Sequence, residues 1–390
     1  MSEQTPSFRA DRPRIALVLP GGGARSAYQV GVLRAIAGWC PANGPLPFAV
    51  LCGTSAGAIN AAVLGAHAGD VRQATEELFR VWSGFRIEQV YRVGAGEMLR
   101  TGLHLLLALL TSGWLLPMPR ALFDNSPLRE LLSKNVDFAS LRRALEFGLP
   151  DSIAITATSM TGGESVTFVE TSRPFTPWDR AARRGVAERL AVDHLMASSA
   201  IPMLFPAVAM GKAHFSDGAI RQSTPLAPAI HLGADRILVI GVRKPGGACA
   251  AGGPAPNMAE QFGFMLDSLF MEGLQSDLER LRRVNTLLSH ARPGPLPLGM
   301  RQVEALLMLP ERDPSEIAMA HRLATPVTLR SLLRILGATG ARGGHLLSYL
   351  LFESPYTREL IRAGEQDANR RRAEISAFLG LDREFGATLD

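Results

Sequence analysis

A strand that must become a helix through Gly53-Thr54-Ser55-Ala56-Gly57 leaves this 390-residue chain few ways to fold. The apolar run Phe48 to Cys52 enters the pentapeptide as a strand, and the small-residue stretch Ala58 to Leu64 leaves it as a helix. A serine between glycines at such a turn is held in a strained conformation, with its hydroxyl clear of the backbone at a helix N-terminus. The same five residues also fit a plain turn in which Ser55 only caps the helix. The motif therefore needs context.

Upstream, Arg14 to Leu19 reads as a buried first strand, followed directly by Pro20-Gly21-Gly22-Gly23-Ala24-Arg25 and then by the helical stretch Ser26 to Leu33. Consecutive glycines at a helix start expose backbone N–H groups as an anion cradle. A dinucleotide-binding turn is the competing reading, but Ser26 stands where its last Gly belongs, and the next strand runs into Ser55 without an acidic residue for a ribose. An oxyanion cradle facing Ser55 is the better fit.

A third motif, Ser216-Asp217-Gly218-Ala219, lies far downstream. Together the glycine loop Gly21 to Ser26, the pentapeptide Gly53 to Gly57 and Asp217-Gly218-Ala219 resemble the patatin-like phospholipase family in order and spacing. The stretch Ala197 to Pro206 is similar to the one preceding the aspartate in bacterial members, and the resemblance covers about the first 240 residues. Ser26 departs from the Gly of the family loop. The resemblance implies an α/β three-layer fold, with a mostly parallel sheet between helices. It implies a serine acyl hydrolase of fatty-acyl esters, with Ser55 as nucleophile and Asp217 as its base. The oxyanion donors it implies lie among Gly21, Gly22, Gly23, Ala24, Arg25 and Ala56; Arg25 is read as supporting the loop, approaching a phosphate or standing on the surface. No cofactor is implied. Thr54, Gly53 and Gly57 shape the elbow, while Gly218 and Ala219 follow the aspartate.

The chain itself supports an α/β reading. Ser152 to Thr158 and Ser165 to Val169 form an antiparallel pair across Gly162-Gly163; Val192 to Ser199 is a helix; Ala213 to Ser216 and Arg236 to Gly241 are strands. Domain boundaries follow: a tail over 1–13, a catalytic domain over 14–245, a Gly/Pro/Ala linker or loop over 246–257, and a helical region over 258–390 packed on the catalytic domain. The helical region contains Met258 to Leu288, the basic amphipathic stretch Thr328 to Leu336 with Arg330 and Arg334, the apolar patch His345 to Phe352, and Arg370-Arg371-Arg372 as a solvated face.

Leu103 to Met118 is the most apolar part of the chain. Thr111-Ser112-Gly113 and the prolines break it, so it reads as a buried helix, or else a lid or interfacial segment, rather than a membrane span. The formal net charge of +5 suits a reversible contact with an anionic lipid surface. No basic run is interleaved with aromatics, so nucleic acid is not expected as a partner. Cys40, Cys52 and Cys249 show no metal spacing and point to a reducing compartment; with no secretory signal visible, the expected location is cytoplasmic. No calcium-loop pattern is present.

Two other functions stay open. One is an ordinary Ser-His-Asp hydrolase acting on small soluble esters, although its elbow usually follows several strands and this one follows the second. The other is a catalytically idle lipid-binding protein. Among His67, His104, His194, His214, His231, His290, His321 and His345, only His214 and His231 flank Asp217. The resemblance pairs Asp217 with the serine directly and leaves both histidines structural.

Overall fold

In a computed structural model, the described residues are 13–111, 114, 117, 119–244, 255–290, 300–335, 337, 338 and 343–381. The expected tail, most of the 246–257 loop, Cys249 and parts of 112–118 lie outside them. Strands β1 (Ile15–Leu19), β2 (Val50–Thr54), β3 (Ser152–Ser159), β4 (Glu164–Thr171), β5 (Trp178–Arg180), β6 (Arg183–Ala187), β7 (Val208–Met210), β8 (Ala213–Asp217), β9 (Arg236–Ile240) and β10 (Glu304–Met308) form one sheet. Its order is β10-β9-β1-β2-β3-β4-β6-β5, with β8 beside β3 and β7 beside β8. From β10 to β3 every pairing is parallel. β3–β4, β3–β8, β5–β6 and β7–β8 are antiparallel. Strands β1, β2 and β3 are buried along their whole length, which is why β1 reads as an unbroken apolar run rather than an alternating one.

Helices α1 (Ala27–Trp39), α2 (Ala56–Ala66), α3 (Val71–Ser83), α4 (Ala95–Leu110), α5 (Ser126–Asn135), α6 (Phe138–Glu146), α7 (Val192–Ser198), α8 (Ala227–His231), α9 (Met258–Ser289), α10 (Pro314–Ala320), α11 (Val327–Ile335), α12 (Gly344–Leu350), α13 (Ser354–Arg370) and α14 (Arg372–Leu379) accompany the sheet. The three-layer α/β architecture holds.

Two differences from the sequence reading matter. The region after residue 245 is not helical throughout, since β10 extends the central sheet in parallel register with β9, Glu304 opposite Arg236 and Met308 opposite Ile240. Glu-Ala-Leu-Leu-Met carries no β-branched residue, so local propensity pointed to helix and tertiary pairing overrode it. The apolar helix α4 is also not buried: Leu99, Leu103, Leu107 and Leu110 are exposed along one stripe, and Trp114 beyond it is 90% exposed. Among the described residues no helix is long and apolar enough to cross a membrane.

Candidate active site

Sheet register alone brings Ser55 and Asp217 together. β2 runs beside β3 until Thr54 pairs with Thr156. The chain then turns away at Ser55 into α2, vacating that edge of β3. β8 takes the next place on the same edge, pairing Asp217 with Ala157. The two side chains thus arise at adjacent positions, at the carboxyl end of β2.

The turn is strained as an elbow requires. Ser55 has φ 55° and ψ −130°, a backbone conformation that a residue with a Cβ rarely adopts. Its side chain makes no capping hydrogen bond to α2, so the helix-cap reading fails. Its N–H donates to Ser198 Oγ at 2.8 Å, and Ser198 Oγ donates to the Thr156 carbonyl at 2.6 Å. Thr54 Oγ1 donates to Gln222 Oε1 at 2.5 Å. Gly57 is required because a Cβ there would stand 2.0 Å from the Leu19 carbonyl, where α2 passes the end of β1. Ser198 and Gln222 were not singled out from the sequence. Ser198 lies in the Ala197–Pro206 stretch, but nothing local marks its bond to the elbow.

Asp217 is buried. Its Oδ1 accepts the Ala219 N–H at 2.9 Å, while Oδ2 has no hydrogen-bond partner among the described residues. Burial pushes the carboxyl up from 3.8 to about 7, against the opposing pull of the Ser55 hydroxyl and the Ala219 amide. The hydroxyl is near enough to act on the carboxylate, yet Oδ2 has no partner with hydrogen-bond geometry, so the two groups are adjacent rather than bonded.

The glycine loop lies against the same serine. A Cβ on Gly21 would sit 2.7 Å from Ser55 Cβ and 2.4 Å from the Phe270 ring, so only glycine lets the backbone pass there. Beyond it the chain forms a 3-10 turn over Gly23–Ser26, in which the Arg25 N–H donates to the Gly22 carbonyl at 3.1 Å. Gly22, Gly23 and Ala24 stand at the start of that turn, where a helix leaves its first amides without intrahelical partners. The Ala56 N–H opens α2, where the helix leaves its first amides free. The Arg25 guanidinium is buried and points away, toward α9 and α12.

Ser55, Gly23 and Ala56 open onto a narrow apolar cavity of about 50 Å³, walled by residues including Ile59, Val63, Leu131, Phe205 and Leu350. That is room for one or two waters, so a longer apolar chain must displace side chains to enter. Beyond Leu350 lies an apolar groove of about 460 Å³, lined by Leu122, Met203, Met258, Met265, Leu329 and Leu333 among others.

No histidine lines the cavity. His214 is exposed, opposite Ala209 in the β7–β8 ladder. His231 stacks on Trp178 at 4.5 Å between ring centroids; burial and the nearby Arg180 and Arg183 hold its pKa down. His194 packs edge-on against Phe168. Among the described residues no group of His, Cys, Asp or Glu could hold a metal ion. Cys40 and Cys52 are both buried, and burial pushes the Cys52 thiol up to about 12.

Among solved structures, the chain is similar to human GIVD cytosolic phospholipase A2 in complex with methyl gamma-linolenyl fluorophosphonate. The TM-score is 0.45 at 13% identity, over 94% of this chain and 59% of that one. It is also similar to VipD from Legionella pneumophila (TM-score 0.31, 15% identity, 90% of this chain and 67% of that one). ExoU from the type III secretion system of Pseudomonas aeruginosa, crystallised with SpcU, gives a TM-score of 0.27 at 14% identity, over 94% and 79% of the respective chains. The chain thus spans about three fifths of the length of the human enzyme. Comparison with curated protein sequences finds no match. The family described as patatin-like phospholipase matches residues 17–230. This stretch is more than half of the chain; it starts within β1 and contains β2 to β8, the glycine loop, the Ser55 elbow and Asp217. The chain belongs to the patatin-like phospholipase family.

Proposed function

We propose that the protein is a serine acyl hydrolase of fatty-acyl lipid esters, of the phospholipase A or lysophospholipase type, working through a Ser55–Asp217 dyad. The observation that carries this reading is the strained, uncapped Ser55 beside a buried carboxylate with an unpartnered oxygen, at the mouth of an apolar cavity. Ser55 Oγ attacks the ester carbonyl carbon as its proton passes to Asp217. Amides of Gly22, Gly23 and Ala56 are best placed to receive the oxyanion, each such donor being worth about 3 kcal/mol of barrier. The tetrahedral intermediate collapses to an acyl-enzyme as Asp217 returns the proton to the leaving alcohol. Water, deprotonated by Asp217, then releases the fatty acid. A carboxyl at about 7 is a far better base than one at 3.8.

Substrate delivery from a membrane surface belongs to the same proposal. Support comes from the exposed stripe on α4, from Met203 and Met258 at the rim of the neighbouring groove, and from Arg330 and Arg334 on α11, which make no ion pair among the described residues.

Turnover of an aryl ester and of a lipid panel by Ser55→Ala and Asp217→Asn tests the chemistry. Both should lose at least about 10³-fold in kcat. His214→Gln and His231→Gln should lose less than about tenfold, since general-base catalysis is typically worth 10²–10⁴. A loss at either histidine matching that at Ser55 would restore a Ser-His-Asp triad.

A further inference from the structure

The glycine loop has almost no side chains with which to hold itself still. Glycine loses more conformational freedom on ordering than any other residue, so three in succession need their geometry imposed from outside. Gln29 Nε2 ties down the Pro20 carbonyl at 2.9 Å, and the charged side chain within the loop is Arg25, whose guanidinium partners among the described residues all come from α9 or α12. Nε donates to Ser348 Oγ at 2.7 Å, Nη1 to Asp267 Oδ1 at 2.7 Å and to Tyr349 OH at 3.0 Å, and Nη2 to the His345 carbonyl at 3.3 Å. The guanidinium also lies over the Tyr349 ring, 3.9 Å from its centroid. Asp267 is held in turn, with Oδ1 accepting from Tyr349 OH at 2.8 Å, Oδ2 2.7 Å from His345 Nδ1, and Arg243 Nε at 3.8 Å. The side chains of Arg25 and Asp267 are 1% and 3% exposed.

The same helices press on the loop directly. Phe270, on the turn of α9 after Asp267, fills the space a Gly21 side chain would need, and the Tyr349 carbonyl lies 2.4 Å from where a Gly23 Cβ would be. Burial works to raise the Asp267 pKa, but His345 and the Arg25 charge outweigh it and hold the carboxyl well below the usual range, so the pair is ionic at any working pH.

We propose that Asp267 is a positioning residue for the oxyanion amides, and that residues beyond the family-matched 17–230 complete the active site by locking Arg25. A buried ion pair is a poor source of net stability because both charges are desolvated, but its directional hydrogen bonds fix one arrangement of the groups they join. Here that arrangement is the aim of the Gly22 and Gly23 amides at Ser55. The inference rests on the Ser55 reading above and adds a requirement outside the motifs.

The test measures, for Asp267→Asn, kcat/KM on an aryl ester, the second-order rate of Ser55 labelling by a fluorophosphonate, and the affinity for an uncharged long-chain alcohol. Labelling and kcat/KM should fall by the same factor, about 10–100-fold, because both pass through an oxyanion held by the loop. Affinity for that alcohol, which brings no negative charge to the oxyanion amides, should stay within about twofold. Should Asp267→Asn fold poorly, the charge-free pair R25M/D267L should recover thermal stability while remaining slow. A folded Asp267→Asn labelled at the wild-type rate, or a double variant that regains full rate, would overturn the inference. Absence of any Ser55 adduct in the wild type would instead sink the Ser55 reading itself.

Discussion

Asp217 sets the pH behaviour. Its carboxyl ionises at about 7 when buried and near 3.8 when free. The proposed base must be ionised to take the proton, so kcat/KM on a neutral ester should rise with pH through an inflection near 7 rather than near 4. Stability runs the opposite way. The contribution from the buried neutral carboxyl is complete below about pH 4 and is lost as pH rises toward 7, amounting to roughly 4 kcal/mol at the limit. Asp217→Asn cannot ionise. Its stability relative to wild type should therefore be a few kcal/mol greater at pH 8 than at pH 4, while activity is lost. Denaturant unfolding at the two pH values checks this; an unchanged difference would mean that Asp217 is ionised in the fold at both. At this scale the sequence named Ser55 and Asp217 but not what surrounds them. Ser198 and Asp267 reach the elbow and the loop from 143 and 242 positions away in the chain, and no local pattern encodes such contacts.

Helix α4 shows an apolar stretch that was visible in the sequence while its surroundings, core, lid or interface, were left open there. Its leucines at 99, 103, 107 and 110 share one helical face, which marks an amphipathic helix. The sequence holds no record that this face meets solvent rather than the sheet. Exposed apolar stripes of this size mark interaction surfaces. Leu103→Asp with Trp114→Ala should weaken cosedimentation with vesicles of phosphatidylcholine and phosphatidylglycerol by at least tenfold, each buried apolar side chain being worth about 1.5–3 kcal/mol, and leave turnover of a monomeric aryl ester unchanged. Binding by the parent protein should fall as salt rises, with exposed charges screened beyond about 8–10 Å. Equal binding by parent and variant would place the contact elsewhere. Long, buried or strongly periodic elements such as β1, β3 and α9 were legible in the sequence. The three-residue β5 and β7 and the leucine-rich β10 were not, because their strand identity comes from the neighbours they pair with.

Across the whole molecule, one sheet carries both the family-matched part and the region after residue 245, since β10 pairs with β9 and β9 with β1. α9 and α12 reach back from that region to the glycine loop, so elbow, loop and apolar cavity are assembled from residues as far along the chain as Phe352 rather than from its first 240 alone. The central claim, that Ser55 is the nucleophile at the head of an acyl-chain cavity, is tested most directly by intact-mass and peptide analysis of the folded protein after treatment with alkyl fluorophosphonates of increasing chain length. The expected result is a single adduct on Ser55, formed faster with a long alkyl chain than with a methyl or ethyl group and slowed at least about 10²-fold in Asp217→Asn. No adduct on Ser55, or one whose rate ignores both chain length and Asp217, would contradict it.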